Sequence, residues 1–353
     1  MANINHPLTE LYLRNHDLLQ GKDVVFAGDI DSMQVLHLAK GCKSAIFIID
    51  NYAVACQCAA ALGKKLSHEI NQSVTVGFIT VIFAPLALAV EKITKFSCLT
   101  LFLSKAKQKS AEILRTLAPK LEQDALILIA GSNDGGGKSA DGLLKECGNP
   151  YKVDTARKCT LFAVKPEKAF SYLKNCSDIA YENLQLKQKF GVFSQGRVDE
   201  GTALLLKNLP QDLTGQKALD LGCGCGIIGL FLAKKAAFVT LSDISAEALY
   251  LAKSNADINQ LSENCKFKAA FMLNDAEKFD IIATNPPFHE GIKKAEKITI
   301  EMIKEAPNHL NAGGALYLVG NSFLNYGPTL EEAFKKVTVL ESNKRFTVFK
   351  AEN

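Results

Sequence analysis

The sequence lacks an apolar run long enough to cross a bilayer. Its longest uncharged stretch, residues 74–90, is shorter than the roughly 20 apolar residues that a transmembrane helix needs, and Gly77 and Pro85 interrupt it. The β-branched residues before Pro85 favour a buried strand there. No basic segment followed by an apolar one opens the chain, so we do not expect export. We expect a cytoplasmic protein that does not enter a membrane and whose ten cysteines stay reduced.

The chain is also short of arginine and of metal-binding motifs. It has five arginines, so its net charge of +4 rests mostly on lysine, which attracts phosphate as a point charge without planar bidentate contacts. This charge permits a nucleic-acid partner but does not require one. The pairs Cys56–Cys58 and Cys223–Cys225 have the wrong spacing for a zinc knuckle, so we expect no metal site.

Strands and helices alternate along the second half of the chain. Five short apolar segments are separated by turns and helical segments: residues 217–222, 238–245, 265–270, 278–284 and 315–320. This alternation is typical of a parallel sheet with helices on both faces. A last β segment at residues 345–351 closes the chain after a helix near residues 330–336.

The first half repeats the same plan in a weaker form. Five of its segments match segments of the second half in order: residues 24–30, 45–51, 99–105, 125–133 and 156–165. The acidic residues at the strand ends are similarly spaced, Asp29 with Asp50 and Asp220 with Asp243. Two unrelated α/β units would also look alike, but the matched order of the segments favours an internal duplication.

These patterns predict an α/β fold with two tandem Rossmann-like domains, each a mostly parallel sheet with helices on both faces. The length of 353 residues also suits two domains. Residues 167–188 are polar and show no strong strand signal, so they are interpreted as a linker. We place the boundary near residue 175, which gives domains of residues 1–175 and 176–353.

A glycine-rich turn joins the first strand of the second half to its helix. Gly222, Gly224 and Gly226 follow Asp220 at the strand end, and glycines let a backbone turn tightly and approach a ligand closely. Asp243, at the end of the next strand, is suited to accept hydrogen bonds from ribose hydroxyls. Such turns also occur as packing devices, but together with the acid the pattern predicts a nucleoside-containing cofactor. It does not separate a dinucleotide from S-adenosylmethionine.

The loop after the fourth strand carries the chemistry. Asn285-Pro286-Pro287-Phe288 lies at the carboxyl end of a parallel strand, where open α/β sheets bind ligands. The Asn285 side-chain oxygen and the Pro286 carbonyl are suited to accept both protons of a planar amino group, and Phe288 offers a ring on which a base stacks. A proline turn that merely closes a strand is the structural alternative, but the flanking asparagine and aromatic residue favour an amino-group site.

Together, the glycine turn, Asp243 and the Asn-Pro-Pro-Phe segment resemble class I S-adenosylmethionine-dependent methyltransferases that modify exocyclic amino nitrogens. With residues 191–206 and 285–291, the chain is similar to the bacterial guanine-N2 methyltransferases of ribosomal RNA. Segments at residues 24–30, 131–140 and 152–159 are similar to the small-subunit members of that group. The resemblance covers nearly the whole chain and is stronger in the second half.

The resemblance implies methyl transfer from S-adenosylmethionine to the exocyclic N2 of a guanine, with 16S rRNA or the small ribosomal subunit as partner and a monomeric enzyme. It implies the catalytic residues Asn285, Pro286, Pro287 and Phe288. It implies a cofactor-binding set of Asp220, Gly222, Gly224, Gly226, Asp243, Ile244, Phe193, Asp199 and Thr202. It also implies that Phe288 and His289 contact the substrate, and that His289 serves either base recognition or loop structure.

One position departs from the methyltransferase pattern. Many such enzymes place Asp or Asn after the third strand to bind the adenine amino group, whereas this chain has Ala269 and Ala270 there. Asn274, Asp275 or the backbone remain as candidates for that contact.

The first half has lost its counterpart of this site. Residues 26–32 lack the glycine series, and Leu-Phe-Leu-Ser-Lys at 101–105 replaces the catalytic segment. A phosphate-binding loop would need glycine at position 132, where the chain has Ser132, so residues 135–138 favour a mobile, positively charged loop. We expect this half to hold rRNA or to stabilise the other half.

Four other functions stay open from the sequence. They are a glutamine methyltransferase that acts on a release factor, an adenine or cytosine amino methyltransferase that acts on DNA, the large-subunit rRNA enzyme, and a non-catalytic RNA-binding assembly factor. Phe288-His289 and the duplicated architecture weigh against the first two. The intact catalytic segment weighs against the last.

Overall fold

The computed structural model describes residues 6–171, 176–189, 192, 196–235, 237–273, 277–286 and 292–353. The chain separates into two compact units, Met1–Asn175 and Cys176–Asn353. Each unit holds one large sheet with its own hydrophobic core.

The N-terminal unit contains a sheet in the strand order β3-β4-β2-β1-β5-β6-β8-β7. Its strands are β1 (Asp23–Gly28), β2 (Ser44–Ile48), β3 (Gln72–Val76), β4 (Ile79–Phe83), β5 (Phe96–Phe102), β6 (Leu121–Ser132), β7 (Tyr151–Ala156) and β8 (Cys159–Val164). The helices are α1 (Pro7–Arg14), α2 (Tyr52–Ala61), α3 (Leu86–Ala89) and α4 (Lys107–Leu117). Shorter 3-10 turns cover His16–Leu19, Met33–Ala39, Val90–Lys92, Ala118–Lys120, Asn133–Gly135 and Gly137–Leu143.

The C-terminal unit contains a sheet in the order β13-β12-β11-β14-β15-β17-β16 and a separate hairpin, β9-β10. Its strands are β9 (Cys176–Tyr181), β10 (Leu184–Lys189), β11 (Lys217–Leu221), β12 (Phe238–Asp243), β13 (Cys265–Ala269), β14 (Phe279–Thr284), β15 (Leu310–Asn321), β16 (Lys336–Ser342) and β17 (Phe346–Glu352). The helices are α5 (Glu200–Asn208), α6 (Ile227–Lys234), α7 (Ala246–Ile258), α8 (Ile292–Glu305) and α9 (Gly327–Ala333). Its 3-10 turns are Ser262–Asn264, Ala306–His309 and Ser322–Leu324.

The two sheets share one topology. Apart from the edge strand β3, both follow the same order, with five parallel strands and then two antiparallel ones. The predicted pair of mostly parallel Rossmann-like sheets is therefore confirmed, and the matching order supports the duplication. In both sheets the strand order reverses beside the first parallel strand, which is where such sheets bind ligands.

Three local predictions were wrong. Residues 176–189, interpreted as linker, form the β9-β10 hairpin of the C-terminal unit. The apolar run at residues 74–90 is not one buried strand, because β3 and β4 pair as an antiparallel hairpin and β3 is largely exposed. The helix expected near residues 330–336 ends at Ala333, and residues 336–342 instead form β16.

Buried aliphatic side chains hold each sheet against its helices. In the C-terminal unit Leu219, Ile282 and Leu316 on neighbouring strands pack with Ile303 of α8 in one cluster. This packing fixes the strand ends from which the candidate site is built. Among the described residues, no helix has the length and apolar character that crossing a bilayer takes.

Candidate active site

The carboxyl ends of three adjacent strands form the candidate site. The central strand β11 lies between β12 and β14, with all three parallel. Asp220 lies in β11, Asp243 ends β12, and Asn285 follows β14 directly. The topology therefore brings the predicted cofactor and catalytic residues to one edge of the sheet.

The side-chain amide of Asn285 has a defined orientation. Its Nδ2 donates hydrogen bonds to Asp199 Oδ2 at 3.0 Å and to Thr202 Oγ1 at 2.8 Å. Because a carboxylate only accepts hydrogen bonds, the amide must direct its NH2 group toward Asp199. Asn285 Oδ1 is buried and has no hydrogen-bond partner among the described residues. The arrangement leaves one strong acceptor in place for an N–H donor.

Asp199 accepts hydrogen bonds from both Asn285 and Thr202. It caps the N-terminus of α5, and its Oδ2 accepts from the Thr202 backbone N–H at 3.0 Å as well as from Asn285. The sequence assigned Asp199 and Thr202 to cofactor binding. In the structure they contact Asn285, which is 86 positions away in the chain.

The β9-β10 hairpin supports the segment before Asp199. Gln188, in β10, is buried; its Oε1 accepts from the Gly196 N–H at 2.8 Å, and its Nε2 donates to the Arg197 carbonyl at 3.3 Å. The hairpin in turn is held by Asn255 of α7, whose Nδ2 donates to the carbonyls of Lys187 and Cys225. Sequence reasoning missed Gln188 and Asn255, although a polar residue among the apolar positions of a helix is a usable signal for Asn255.

Asp220 is fully buried beneath the glycine turn. Its Oδ2 accepts from the Gly229 N–H at 2.7 Å, whereas its Oδ1 has no partner among the described residues. The pKa of Asp220 is raised to about 7, mainly by burial; the bond from Gly229 opposes this shift and the nearby Asp243 adds to it. A Cβ at Gly229 would lie 2.6 Å from Leu241 Cγ, so only glycine lets α6 approach the strands this closely.

The glycine turn and Asp243 are joined by hydrogen bonds. Gly222, Gly224 and Gly226 all have positive φ (+75°, +54° and +87°), a conformation that side chains disfavour. Asp243 Oδ2 accepts from the Gly224 N–H and Oδ1 from the Ser245 N–H, both at 2.9 Å. A Cβ at Gly222 would meet nothing within 4 Å, so the turn borders open space. Ile244 follows Asp243 and is half-buried.

Thr284 is a further residue that the sequence did not single out. Its Oγ1 donates to the Leu221 carbonyl at 2.8 Å and is buried. The bond ties the end of β14 to the start of the glycine turn, so it fixes Asn285 relative to that turn.

Several predicted site residues lie outside the described part of the chain. Pro286 is described and buried. Phe193, Pro287, Phe288 and His289 are outside the described residues, as are Asn274 and Asp275, the candidates for the adenine contact.

The cysteines next to the turn are inert thiols. Cys223 and Cys225 are buried, and burial raises the pKa of both, for Cys225 to about 11. Within the described ranges, no group of three or more His, Cys, Asp or Glu side chains is placed to hold a metal ion.

The equivalent positions of the N-terminal unit are apolar. Val24 pairs with Ala45 and Cys98 as Ala218 pairs with Val239 and Ile281. Counting from these pairs places Phe26 at the position of Asp220, and Phe102 at the position of Asn285. The matched spacing of the acid pairs was therefore misleading, because Asp29 lies three residues beyond the Asp220 position.

Aromatic packing replaces the polar contacts of Asn285 in this unit. The Tyr12 ring of α1 lies 5.0 Å from the Phe102 ring, and Tyr12 OH donates to the Leu101 carbonyl at 2.7 Å. A Cβ at Gly28 would lie 2.0 Å from the Phe102 carbonyl oxygen, so the backbone itself closes the strand ends. No amino group can be held there.

A lysine joins the two acids of the N-terminal unit. Lys109 Nζ lies 3.2 Å from Asp29 Oδ1 and 3.3 Å from Asp50 Oδ2, and the lysine side chain is only 22% exposed. Burial alone would lower the pKa of Lys109, but Asp50 and Asp29 outweigh it and raise that pKa. These acids therefore serve an ion pair within the protein.

The glycine loop of this unit is packed rather than irregular. The sequence favours a mobile loop at residues 135–138, whereas the structure forms two 3-10 turns there. Ser132 Oγ caps the first by accepting from the Gly135 N–H, and a Cβ at Gly137 would lie 2.1 Å from the Gly131 carbonyl oxygen.

Comparison with known families places both halves of the chain. Residues 183–350 match the family model described as methyltransferase small domain, and residues 9–177 match the methyltransferase small domain N-terminal model.

Relatives are similar over their whole length. The ribosomal RNA small subunit methyltransferase C of Psychromonas ingrahamii is 34% identical over 99% of this chain and 98% of its own length. Its counterpart in Vibrio vulnificus is 31% identical over 97% of each chain. Among solved structures, the 16S rRNA N2 G1207 methyltransferase (RsmC) of T. thermophilus, in complex with AdoMet and guanosine, superimposes with a TM-score of 0.75. That match has 23% identity and covers 96% of this chain and 91% of the other, which shows a shared fold.

Proposed function

The chain belongs to the ribosomal RNA small subunit methyltransferase C family, and we propose that it transfers a methyl group from S-adenosylmethionine to the exocyclic N2 of a guanine in 16S rRNA. The relatives are named as methyltransferases of small-subunit ribosomal RNA. The solved structure of similar fold is named a 16S rRNA N2 G1207 methyltransferase and contains AdoMet and guanosine. The N2 group of guanine is a planar NH2, and such a group can donate a hydrogen bond to the unpartnered Asn285 Oδ1.

The observation that carries the proposal is the orientation of Asn285. Asp199 and Thr202 occupy its NH2 group, so its buried Oδ1 is left to accept. An unpartnered buried acceptor costs about 1–3 kcal/mol, a cost that a hydrogen bond from substrate removes. With the carbonyl of Pro286, the next residue, Asn285 Oδ1 would accept the two protons of an amino group.

The glycine turn fits the cofactor. When bound, S-adenosylmethionine supplies a methyl group on a positively charged sulfur. Gly222 borders open space, and Asp220 Oδ1 is buried without a partner among the described residues. Both Asp243 oxygens accept backbone N–H groups of this region, which holds the carboxylate beside the glycine turn. We assign cofactor binding to Asp220, Gly222, Gly224, Gly226, Asp243 and Ile244, with Phe193 at the border of the pocket.

Catalysis then depends on orientation. The guanine N2 is a poor nucleophile because its lone pair conjugates with the ring. Acceptance of both amino protons by Asn285 Oδ1 and the Pro286 carbonyl would direct that lone pair toward the methyl group, and alignment of this kind supplies roughly 7–11 kcal/mol. No general base is required before attack if the proton leaves late. Pro287 stiffens the loop, Phe288 stacks on the base, and His289 serves base recognition or loop structure.

The other parts of the proposal concern the partner and the first half. A guanine within a helix must be unpaired or flipped to reach the site, at a cost of a few kcal/mol. The N-terminal unit, residues 1–175, carries no equivalent of Asn285 and is assigned to rRNA binding or to support of the catalytic unit, residues 176–353. We propose a monomeric enzyme that works in the cytoplasm, where its substrate, 16S rRNA or the small ribosomal subunit, is found.

Transfer of tritiated methyl groups tests the proposal. The wild-type chain is offered 30S subunits, 50S subunits, deproteinised 16S rRNA and DNA, together with the Asn285→Ala variant and Asn308→Ala as a surface control. Label on 16S rRNA or 30S subunits, lost with Asn285→Ala and kept with Asn308→Ala, supports the proposal. Label on 50S subunits or DNA alone, or an active Asn285→Ala variant, contradicts it.

A further inference from the structure

One exposed aromatic ring lies close to the candidate site and has no role in the proposed reaction. Phe323 is 69% exposed and lies in the 3-10 turn Ser322–Leu324, which follows β15 at its carboxyl end. β15 pairs in parallel with β14, the strand that leads into Asn285. The ring therefore lies at the same edge of the sheet as the catalytic residues.

The turn that carries Phe323 is anchored on both sides. Leu324 packs against the core cluster of the sheet, and Tyr326 is buried with its ring against Gly320, where a Cβ would lie 2.7 Å from that ring. The backbone N–H of Ser322 donates to the Arg345 carbonyl at 2.9 Å, and Ser322 Oγ donates to the Asn343 carbonyl at 3.0 Å. These contacts hold the Phe323 ring at the surface on a backbone that is fixed on both sides of it.

The β16-β17 turn, which Ser322 contacts, carries two positively charged residues. Lys344 and Arg345 lie in that turn and are exposed. Arg345 forms an ion pair with Glu200 and lies over the Phe346 ring, 5.4 Å from its centroid, which fixes the direction of its guanidinium. Glu200 offsets one of the two charges, so one net positive charge remains on this surface.

The same contacts connect the surface to Asn285. Glu200, the partner of Arg345, follows Asp199, and Asp199 accepts the hydrogen bond from Asn285. Gly201 lies against the Phe346 ring, since a Cβ there would be 3.0 Å from it. The path from Asn285 to Phe323 thus runs through α5 and the β16-β17 turn by direct contacts.

We infer that Phe323, Lys344 and Arg345 form a binding surface for the single-stranded RNA that flanks the target guanine. This inference rests on the proposed function, because it assumes an RNA substrate. Unstacked bases bind aromatic rings, and lysine and arginine neutralise the phosphates between them. A flipped or unpaired guanine exposes such a flank, and a ring at the mouth of the site replaces the stacking that the flanking base loses.

The experiment compares variants of the full-length chain. Phe323→Ala removes the ring, Phe323→Trp keeps a stacking surface, and Phe238→Ala is the matched control because Phe238 is 59% exposed at the opposite, amino end of β12. Binding of deproteinised 16S rRNA is measured by filter retention, binding of S-adenosylhomocysteine by calorimetry, and methyl transfer with deproteinised 16S rRNA and with 30S subunits.

We expect Phe323→Ala to weaken RNA binding by roughly 5- to 150-fold, the range that follows from losing one base–aromatic stack. Phe323→Trp and Phe238→Ala should bind RNA as the wild type does, and the affinity for S-adenosylhomocysteine should not change. In Lys344→Ala, the logarithm of the RNA association constant should fall less steeply with the logarithm of the salt concentration, with a slope smaller in magnitude by about 0.7, as for one lost phosphate contact to a single strand.

Three results would overturn the inference. The first is equal RNA binding by Phe323→Ala and Phe238→Ala. The second is an effect of Phe323→Ala that is seen with 30S subunits but not with deproteinised RNA. The third is a loss of turnover by Phe323→Ala at saturating RNA while its RNA binding is unchanged. The second result would assign the surface to a ribosomal protein, and the third would place the ring on the target base. Failure of the wild-type chain to methylate either substrate would instead contradict the proposed function.

Discussion

Asp199 decides whether Asn285 functions as an acceptor. Its carboxylate is the group that forces the Asn285 NH2 away from the site, because the Thr202 hydroxyl can either donate or accept. Without the carboxylate, the amide can flip so that the Thr202 hydroxyl donates to Asn285 Oδ1. That flip satisfies an oxygen whose burial without a partner costs about 1–3 kcal/mol. The productive orientation then becomes the minor one, and we expect Asp199→Ala to reduce kcat by about 5- to 150-fold.

The assay separates this positioning role from cofactor binding. Single-turnover methyl transfer at saturating S-adenosylmethionine and RNA measures the chemical step, and calorimetry measures the affinity for S-adenosylhomocysteine. Asp212→Ala is the matched control, since Asp212 caps Thr214 in an exposed loop of the same unit. Asp199→Ala removes the N-cap of α5, which costs about 0.5–2 kcal/mol of stability. Asp212→Ala removes a similar contact between a carboxylate and a backbone N–H in a loop. Normal kcat with weakened cofactor binding in Asp199→Ala would refute the positioning role and favour the role that the sequence suggested.

Three further predictions concern buried charges and thiols. The pKa of Asp220 is raised from 3.8 to about 7, so between these pH values the native state holds a proton that the unfolded state releases, and the free energy of unfolding should fall as pH rises. Urea unfolding of Asp220→Asn should show a flatter decline with pH, and a decline equal to that of the wild type would contradict this prediction. Lys109→Met leaves the carboxylates of Asp29 and Asp50 facing each other and should lower the free energy of unfolding of the N-terminal unit by about 1–3 kcal/mol, less than the roughly 3–5 kcal/mol lost when a fully buried ion pair is broken. Methyl transfer should be unaffected, and an unchanged free energy of unfolding would contradict this prediction. A thiol reagent at pH 8 should label exposed Cys176 first and buried Cys223 and Cys225 only after unfolding, and early labelling of either would contradict their burial.

The sequence predicts the sheet well where apolar strands are long and buried. β11 and β12, with the glycine turn between them, combine continuous apolar burial with glycines and an acid in fixed order. Such signals are local, so the strand ends and the residues Asp220, Gly222 and Asp243 follow from a reading of the sequence alone. The duplication was also predictable, because apolar segments of the first half match segments of the second half in order.

Half-exposed elements escaped this kind of reading. In β10, Leu184 and Leu186 alternate with polar residues over only six positions, and the turn before it places Glu182 at φ +49° without glycine. A hairpin with a weak turn signal and one apolar face is difficult to distinguish from a linker. β16 is similar, since none of its residues is buried.

Contacts between distant residues could not be predicted at all. Asp199 and Asn285 meet because α5 packs against β15 and β17, and nothing in the local sequence of either residue indicates this contact. The same holds for Tyr12 and Phe102, whose tilted ring contact lies at the N-terminal counterpart of the site. The similar spacing of the acid pairs suggested that Asp29 matches Asp220, whereas the registers place phenylalanines at the positions of Asp220 and Asn285.

The most direct test is a crystal structure of the chain with S-adenosylhomocysteine and guanosine. The account predicts guanine N2 within about 3.2 Å of Asn285 Oδ1, a hydrogen-bond distance, with Asn285 Nδ2 still bonded to Asp199. An Asn285 side chain that turns its NH2 group toward the base, or a guanine bound elsewhere with the cofactor in place, would contradict it.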